Sequence, residues 1–256
     1  MKKLLISAAL AFAAATSAQA FDVKQDVNPA EVKADHPFKI LGTVPGMTYE
    51  EIEAEADKHD IGLYLKEGVV GVRSGVKSAS FEGPLSFNTT LYDNFAMYRN
   101  LDEYDRMGGD MSSPASGSVS THIERSFRIP LADAPSWDSV IQDLTDAYGA
   151  PSYEQEVGPG LFWILDANGE KVEGNPKKMD DGCVVPSAGF RYTPAEDLER
   201  NFCSVQFHVT GTFNSSGLTA RFHLQDIALQ IADTKSMSAQ LEDEINAETK
   251  GSKLDL

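Results

Sequence analysis

Apolar and polar residues alternate most regularly near the C-terminal end of the chain. Apolar side chains occupy every second position from Cys203 to Val209, and they do so again from Leu218 to Leu224 after a turn at 214–217. A period of two is typical of a strand with one buried face, so the sequence predicts a long antiparallel hairpin. The apolar phase then slips by one residue at Ile227, which indicates a β-bulge with the strand continuing beyond it.

Two other segments show the period of an amphipathic helix. The first begins at Thr48, where Thr48 and Glu51 form the two ends of a capping box. The second begins at Ser136 and ends near Gly149. Its apolar positions share one face: Trp137, Val140, Ile141, Leu144 and Tyr148.

These patterns together predict an α+β fold, in which an antiparallel sheet packs against two main helices. Each helix precedes segments of β-type pattern, so the chain has the outline of a tandem pseudo-repeat. The alternative is coincidence, since many α+β proteins contain two such helices.

Changes in composition divide the chain into six segments. A glycine pair at 108–109 and a serine-rich run at 112–118 favour a linker between two subdomains. The predicted segments are a signal peptide (1–20), a mobile lead-in (21–37), a first α+β subdomain (38–107), a linker or loop (108–118), a second α+β subdomain (119–235) and a C-terminal helix or tail (236–256).

The signal peptide is predicted from three consecutive features. Lys2 and Lys3 precede an apolar run too short for a stable membrane anchor, and the segment ends in an Ala-x-Ala site at Ala20. Phe21 follows the cleavage site, so no cysteine is available there for lipid attachment. We therefore expect a periplasmic or secreted protein after cleavage following Ala20.

The charge of the chain narrows the class of partner. Thirty-nine acidic residues against 22 lysines and arginines give a formal net charge of −17. Such a field repels nucleic acid and anionic lipid, so we expect no nucleic-acid partner. Outside the signal peptide no apolar run is long enough to span a bilayer, which predicts no stable membrane insertion.

Cys183 and Cys203 are the only cysteines of the chain. An even pair in an exported protein predicts one disulfide, which the chain-entropy model values at about 3 kcal/mol. A redox or metal-binding pair is the alternative, but the spacing is far from Cys-x-x-Cys.

The segment from Ile40 to Ile52, with Gly46-Met47-Thr48-Tyr49-Glu50-Glu51 at its centre, resembles the start of the first helix in a group of bacterial envelope proteins. This group is the BamE (SmpA/OmlA) and β-lactamase-inhibitor-like superfold. The resemblance implies an exported α+β module that binds other proteins and does not catalyse a reaction. The chain departs from the assembly lipoproteins of the group because it lacks their lipid-bearing cysteine.

No motif for nucleophilic catalysis, a metal site or a cofactor stands out, so we expect no cofactor and favour a protein that is not an enzyme. His208 and His223 lie on the polar face of the predicted hairpin and could oppose each other as metal ligands or an acid–base pair. The alternative is a pair of exposed histidines. His36, His59 and His122 have no carboxylate at a ligand spacing and are interpreted as isolated.

The sequence favours a soluble periplasmic binding or accessory protein that acts through contacts with another envelope protein. The candidate contact surface is either a face of the sheet or the aromatic segment that contains Tyr92, Phe95, Tyr98 and Tyr104. The alternative for this segment is a loop packed over the sheet. A second hypothesis is a periplasmic hydrolase assembled from distant residues such as His208 and His223. A third is a small-ligand carrier, which requires an apolar cavity between helices and sheet.

Overall fold

The strands that the structure describes form a single antiparallel layer of eight. The structure, a computed structural model, describes residues 21–74, 77–89, 104–155, 158–174, 203–215 and 217–251. The strands are β1 (Tyr64–Ser74), β2 (Lys77–Asn88), β3 (Tyr104–Met111), β4 (Ser120–Ile129), β5 (Tyr153–Glu154), β6 (Gly160–Asp166), β7 (Cys203–Asn214) and β8 (Gly217–Asp226). Their order across the sheet is β1-β2-β3-β4-β8-β7-β6-β5. The predicted α+β class is confirmed.

Four α-helices accompany the sheet in the described residues: α1 (Pro29–Val32), α2 (Tyr49–Asp57), α3 (Trp137–Tyr148) and α4 (Ile227–Gly251). The predicted capping box of α2 is confirmed, because the Thr48 hydroxyl accepts from Glu51 N while the Glu51 carboxylate accepts from Thr48 N at 2.9 Å. Ser136 caps α3 by accepting from Ser139 N at 3.1 Å. Both caps satisfy amides that have no partner within the first turn.

Helices α2 and α3 belong to the same core as one face of the sheet. Ile52 and Ala56 of α2 are fully buried, and Leu144 of α3 is buried with them. The sheet contributes alternate residues of its strands, as the period of two predicted. The largest buried side chains of this core face are Phe87, Met107, Ile123, Leu161, Trp163, Phe207 and Leu224.

The prediction that the strand continues past Ile227 is wrong, because Ile227 begins helix α4. Asp226 caps this helix, with Oδ1 accepting from Leu229 N at 2.8 Å and Oδ2 accepting from Ala34 N at 2.8 Å. Farther along, Met237 and Leu241 pack against Phe81 of β2. The apolar phase therefore slips because the chain changes from strand to helix.

Residues 108–118, expected to be a linker or loop, instead complete β3 and form a buried 3-10 turn at Pro114–Ser116. A Cβ on Gly109 would lie 2.1 Å from the His122 carbonyl oxygen, so this glycine permits close packing between strands. Ser113 donates to the buried Asp233 of α4 through its amide, at 3.0 Å, and through its hydroxyl, at 2.6 Å. Small residues in this segment serve packing and hydrogen bonding.

Residues 21–37, predicted as a mobile lead-in, run across the sheet and α4 with hydrogen bonds along their length. Phe21 N donates to Ser80 O at 2.9 Å, and Val27 N donates to Ala115 O at 3.0 Å. Lys24 N donates to Gln240 Oε1 of α4 at 2.9 Å. Helix α1 lies within the same segment.

The two halves of the sheet meet at the pairing of β4 with β8. Helix α2 precedes β1 to β4, and α3 precedes β5 to β8, so in the described residues each half has one of these helices ahead of four strands. The segments predicted as two subdomains thus share one continuous sheet. The polar face at this junction lies opposite the core face that contains Ile123 and Leu224.

Candidate functional site

Strand pairing aligns polar side chains across the junction between the two halves. His208 of β7 lies directly opposite His223 of β8, as the hairpin pattern predicted, and their ring centroids are 5.9 Å apart. His223 in turn lies opposite Glu124 of β4. Both histidines are half-buried, so the alternative of two exposed histidines is wrong.

His122 lies on the same face of the sheet, two residues before Glu124 on β4. Its ring is nearly parallel to that of His223, at 5°, with the centroids 5.6 Å apart. His122 Nε2 lies 3.3 Å from His223 Nδ1. The interpretation of His122 as an isolated histidine is therefore wrong, because β4 pairs with a strand about a hundred residues farther along the chain.

Two carboxylates complete the cluster. Asp110 Oδ2 of β3 lies 2.9 Å from His122 Nδ1, on the side of the ring away from His223. Glu124 Oε2 lies 3.6 Å from His223 Nδ1, and Glu124 Oε1 lies 3.6 Å from the guanidinium of Arg106. The exposed fractions of these side chains range from 15% to 28%, so water screens their charges only in part.

The surroundings of His223 favour its neutral form. Burial lowers the pKa of His223 to about 3, and the neighbouring His122, His208, Arg221 and Arg106 act in the same direction. The imidazole is therefore neutral at neutral pH and keeps a nitrogen lone pair. Asp110 Oδ2 faces His122 Nδ1, so the ring presents its other nitrogen, Nε2, toward His223.

This arrangement has the geometry of a metal site. His122, Glu124 and His223 each offer one ligand atom, and these three atoms lie within 4.8 Å of one another. Tetrahedral zinc with ligands at about 2.0–2.1 Å separates neighbouring ligand atoms by about 3.3 Å. The two histidine nitrogens are 3.3 Å apart, so they can bind one ion with little rearrangement. Asp110 then occupies the outer position that orients a metal-binding histidine.

A cavity of about 180 Å³ adjoins the two histidines. Residues of β4, β7 and β8 line it: His122, Gln206, His208, His223 and Gln225. Gln206 lies opposite Gln225, two residues along the hairpin from His208 and His223 and on the same face. The predicted candidates His208 and His223 thus share a cavity with His122, although His208 is not part of the three-residue ligand cluster.

The other predicted site residues lie elsewhere or outside the described residues. Tyr92, Phe95 and Tyr98 are outside them, whereas Tyr104 packs on the sheet, with its hydroxyl 3.4 Å from Ser126 Oγ. Cys183 also lies outside them. Cys203 is 3% exposed, and its disulfide with Cys183 stays a prediction.

A second cavity, of about 470 Å³, lies between the end of α3 and β6. Phe38, Tyr148 and Trp163 form its apolar wall, and Lys171 lies at its margin. The Lys171 ammonium is 2.5 Å from Glu173, so its charge is already paired. The cavity meets the size requirement of the small-ligand hypothesis, but the histidine cluster offers the more specific chemistry.

Within the described ranges, no helix combines the length and apolarity needed to cross a membrane. Comparison of the chain with protein-family models, curated proteins and solved structures gives no match. The resemblance of residues 40–52 to the BamE-like group accordingly stays a prediction.

Proposed function

We propose that this protein is an exported binding protein whose ligand is a divalent transition-metal ion of the zinc class. His122 Nε2, His223 Nδ1 and a Glu124 oxygen bind the ion. The observation that carries the proposal is the 3.3 Å separation of the two histidine nitrogens, with Glu124 beside them and Asp110 on the far nitrogen of His122.

The types of ligand select the class of ion. Imidazole nitrogen suits zinc, copper, iron and nickel, whereas calcium and magnesium prefer sites made of oxygen. Two imidazoles and one carboxylate are a set that zinc accepts while keeping a fourth position for another ligand.

The position of the cluster links metal binding to the fold. The ligands belong to β4 and β8, the strands at which the two halves of the sheet meet, and Asp110 belongs to β3. An ion bound there joins the two halves through side chains. Binding to the native state alone also raises the free energy of unfolding.

Export and the pseudo-repeat belong to the same proposal. The basic and apolar pattern of residues 1–20 supports export, and a disulfide between Cys183 and Cys203 suits an oxidising compartment. The order of strands supports a tandem repeat, because the described part of each half has one helix ahead of four strands. Contacts with another envelope protein, the function that the BamE-like resemblance implies, are compatible with a metal site on the sheet.

Calorimetric titration of the purified, chelator-treated mature protein with zinc tests the proposal. We expect saturable binding of one ion per chain, and we expect His122→Ala and His223→Ala each to weaken it at least about 100-fold, more than the loss of an outer partner. His59→Ala is the matched control, since His59 is exposed on the turn after α2. Equal affinity in His223→Ala and His59→Ala would overturn the proposal.

A further inference from the structure

We propose that the ion held by His122, Glu124 and His223 keeps an open position toward the adjoining cavity, where it takes a small anion that also carries a hydrogen-bond donor. This inference rests on the proposed metal binding. It assigns a class of second ligand to the site.

The size of the cavity limits that ligand to a few heavy atoms. Its volume is about 180 Å³, and both ligand histidines form part of its wall. A water molecule occupies about 30 Å³ of liquid, so the cavity has room for a ligand of several atoms beside the ion. The three protein ligands leave tetrahedral zinc one position to fill.

The need for a donor comes from Gln206. Its Oε1 atom is buried and accepts no hydrogen bond from any described residue, although it belongs to the wall of the cavity. Across the hairpin, the Gln225 amide is already oriented by its bond to Gln230 Oε1, at 2.5 Å. A buried carbonyl without a donor is unfavourable, so a ligand that donates to Gln206 gains more than one that only accepts.

The preference for an anion comes from the charge around the ion. Arg106 and Arg221 lie on either side of Ser126, two residues along the strands from Glu124 and His223 and on the same face. Their two positive charges offset the two negative charges of Asp110 and Glu124. With a divalent ion bound, the cluster has an excess of about two positive charges, which favours an anion at the open position.

The two requirements describe a small hydroxamate or α-hydroxy acid anion. Acetohydroxamate is the probe, because it coordinates metals through oxygen and keeps an N–H donor. N-Methylacetohydroxamate is the comparison ligand, since it forms the same oxygen chelate but has no N–H donor. The protein is loaded with cobalt(II) in place of zinc, so that ligand binding changes the visible absorption of the metal.

We expect acetohydroxamate to change the cobalt spectrum saturably and to bind more tightly than N-methylacetohydroxamate. We expect Gln206→Leu to weaken acetohydroxamate binding about tenfold, the usual effect of losing one hydrogen bond in a buried site. Gln142→Leu is the control, because Gln142 lies on α3 and donates to Asp146. The cobalt affinity of each variant is measured first, so that ligand affinity refers to loaded protein.

The outcomes separate this inference from the proposed function. Stoichiometric cobalt uptake without any spectral response to acetohydroxamate would overturn the open position and leave metal binding intact. Equal acetohydroxamate affinity in Gln206→Leu and Gln142→Leu would overturn the role of Gln206. Failure of the wild-type protein to take up cobalt and zinc would overturn both proposals.

Discussion

The two faces of the sheet are built from alternate residues of the same strands, yet they differ in what determines them. On the core face, Trp163 and Phe207 are almost fully buried with the apolar sides of α2 and α3. On the opposite face, His122 and His223 are half-buried beside two carboxylates. Any apolar side chain of suitable size contributes to the first face, whereas the second requires particular atoms at particular distances.

This difference separates stability from binding. Burial of apolar surface is not directional, so the core face depends on volume and packing. Metal coordination is directional, and an error of a few tenths of an ångström in ligand position lowers affinity. The following predictions test the distinction, beginning with the largest effect.

Loss of one aromatic ring from the core face has the largest expected effect. Phe207 is 1% exposed and stacks on Phe38 with their ring centroids 5.2 Å apart. We expect Phe207→Ala to lower the free energy of unfolding by about 3–5 kcal/mol in urea titrations. Phe213 on the same strand is 50% exposed, so Phe213→Ala is the matched control, with an expected loss below about 1 kcal/mol. Equal losses would contradict the assignment of the core face.

A buried carboxyl at the edge of the core face makes stability depend on pH. Burial raises the pKa of Asp226 to about 6, even though its carboxylate accepts from Leu229 N and Ala34 N. The stability from its protonated form is fully present below the unfolded pKa, about 3.9, and is lost as pH rises through about 6. A shift of about two pKa units corresponds to at most about 3 kcal/mol.

The measurement is the difference in unfolding free energy between wild type and Asp226→Asn at pH values from 4 to 7.5. Comparison with the variant removes the contributions of other titrating groups. We expect the wild type to lose stability relative to the variant as pH rises. A difference that is constant with pH, or that changes in the opposite direction, would show that the Asp226 pKa is not raised.

Zinc should stabilise the protein through the polar face alone. At a free zinc concentration 100 times the Kd, the free energy of unfolding should rise by about 2.7 kcal/mol. His223→Ala should lose this gain, whereas His59→Ala should keep it. Thermal unfolding with and without zinc provides the measurement. An equal gain in both variants would place the stabilising ion elsewhere.

Removal of the outer carboxylate has the smallest expected effect. Asp110→Asn keeps an oxygen near His122 Nδ1 but loses the negative charge, so we expect zinc affinity to fall about tenfold. Asp105→Asn is the control on the same strand, because Asp105 pairs with Arg125. Competition with a chromophoric chelator measures both affinities. An identical zinc affinity for the two variants would show that Asp110 does not support the metal site.

The core face could be predicted because the patterns that specify it involve residues close together in the sequence. Helix caps at Thr48 and Ser136 and the alternation in β7 and β8 depend on residues close together in sequence. The start of α4 was missed because this helix has a mixed buried face. Gln230 and Thr234 are buried beside apolar residues, so the apolar period of the helix is weak.

The polar face could be predicted only within one hairpin. The register of β7 and β8 placed His208 opposite His223, but the partner of His223 in the metal cluster lies on β4. Alternation shows which side chains share a face of one strand, and it does not show which strands are neighbours. Knowledge that β4 pairs with β8 is needed to place His122 and Glu124 beside His223 as candidate ligands.

X-ray absorption at the zinc edge of the one-to-one zinc complex identifies the metal ligands themselves. We expect two imidazole ligands with nitrogen at about 2.0–2.1 Å, and oxygen as the remaining ligands. Sulfur scattering at about 2.3 Å, or fewer than two imidazoles, would contradict the site formed by His122, Glu124 and His223.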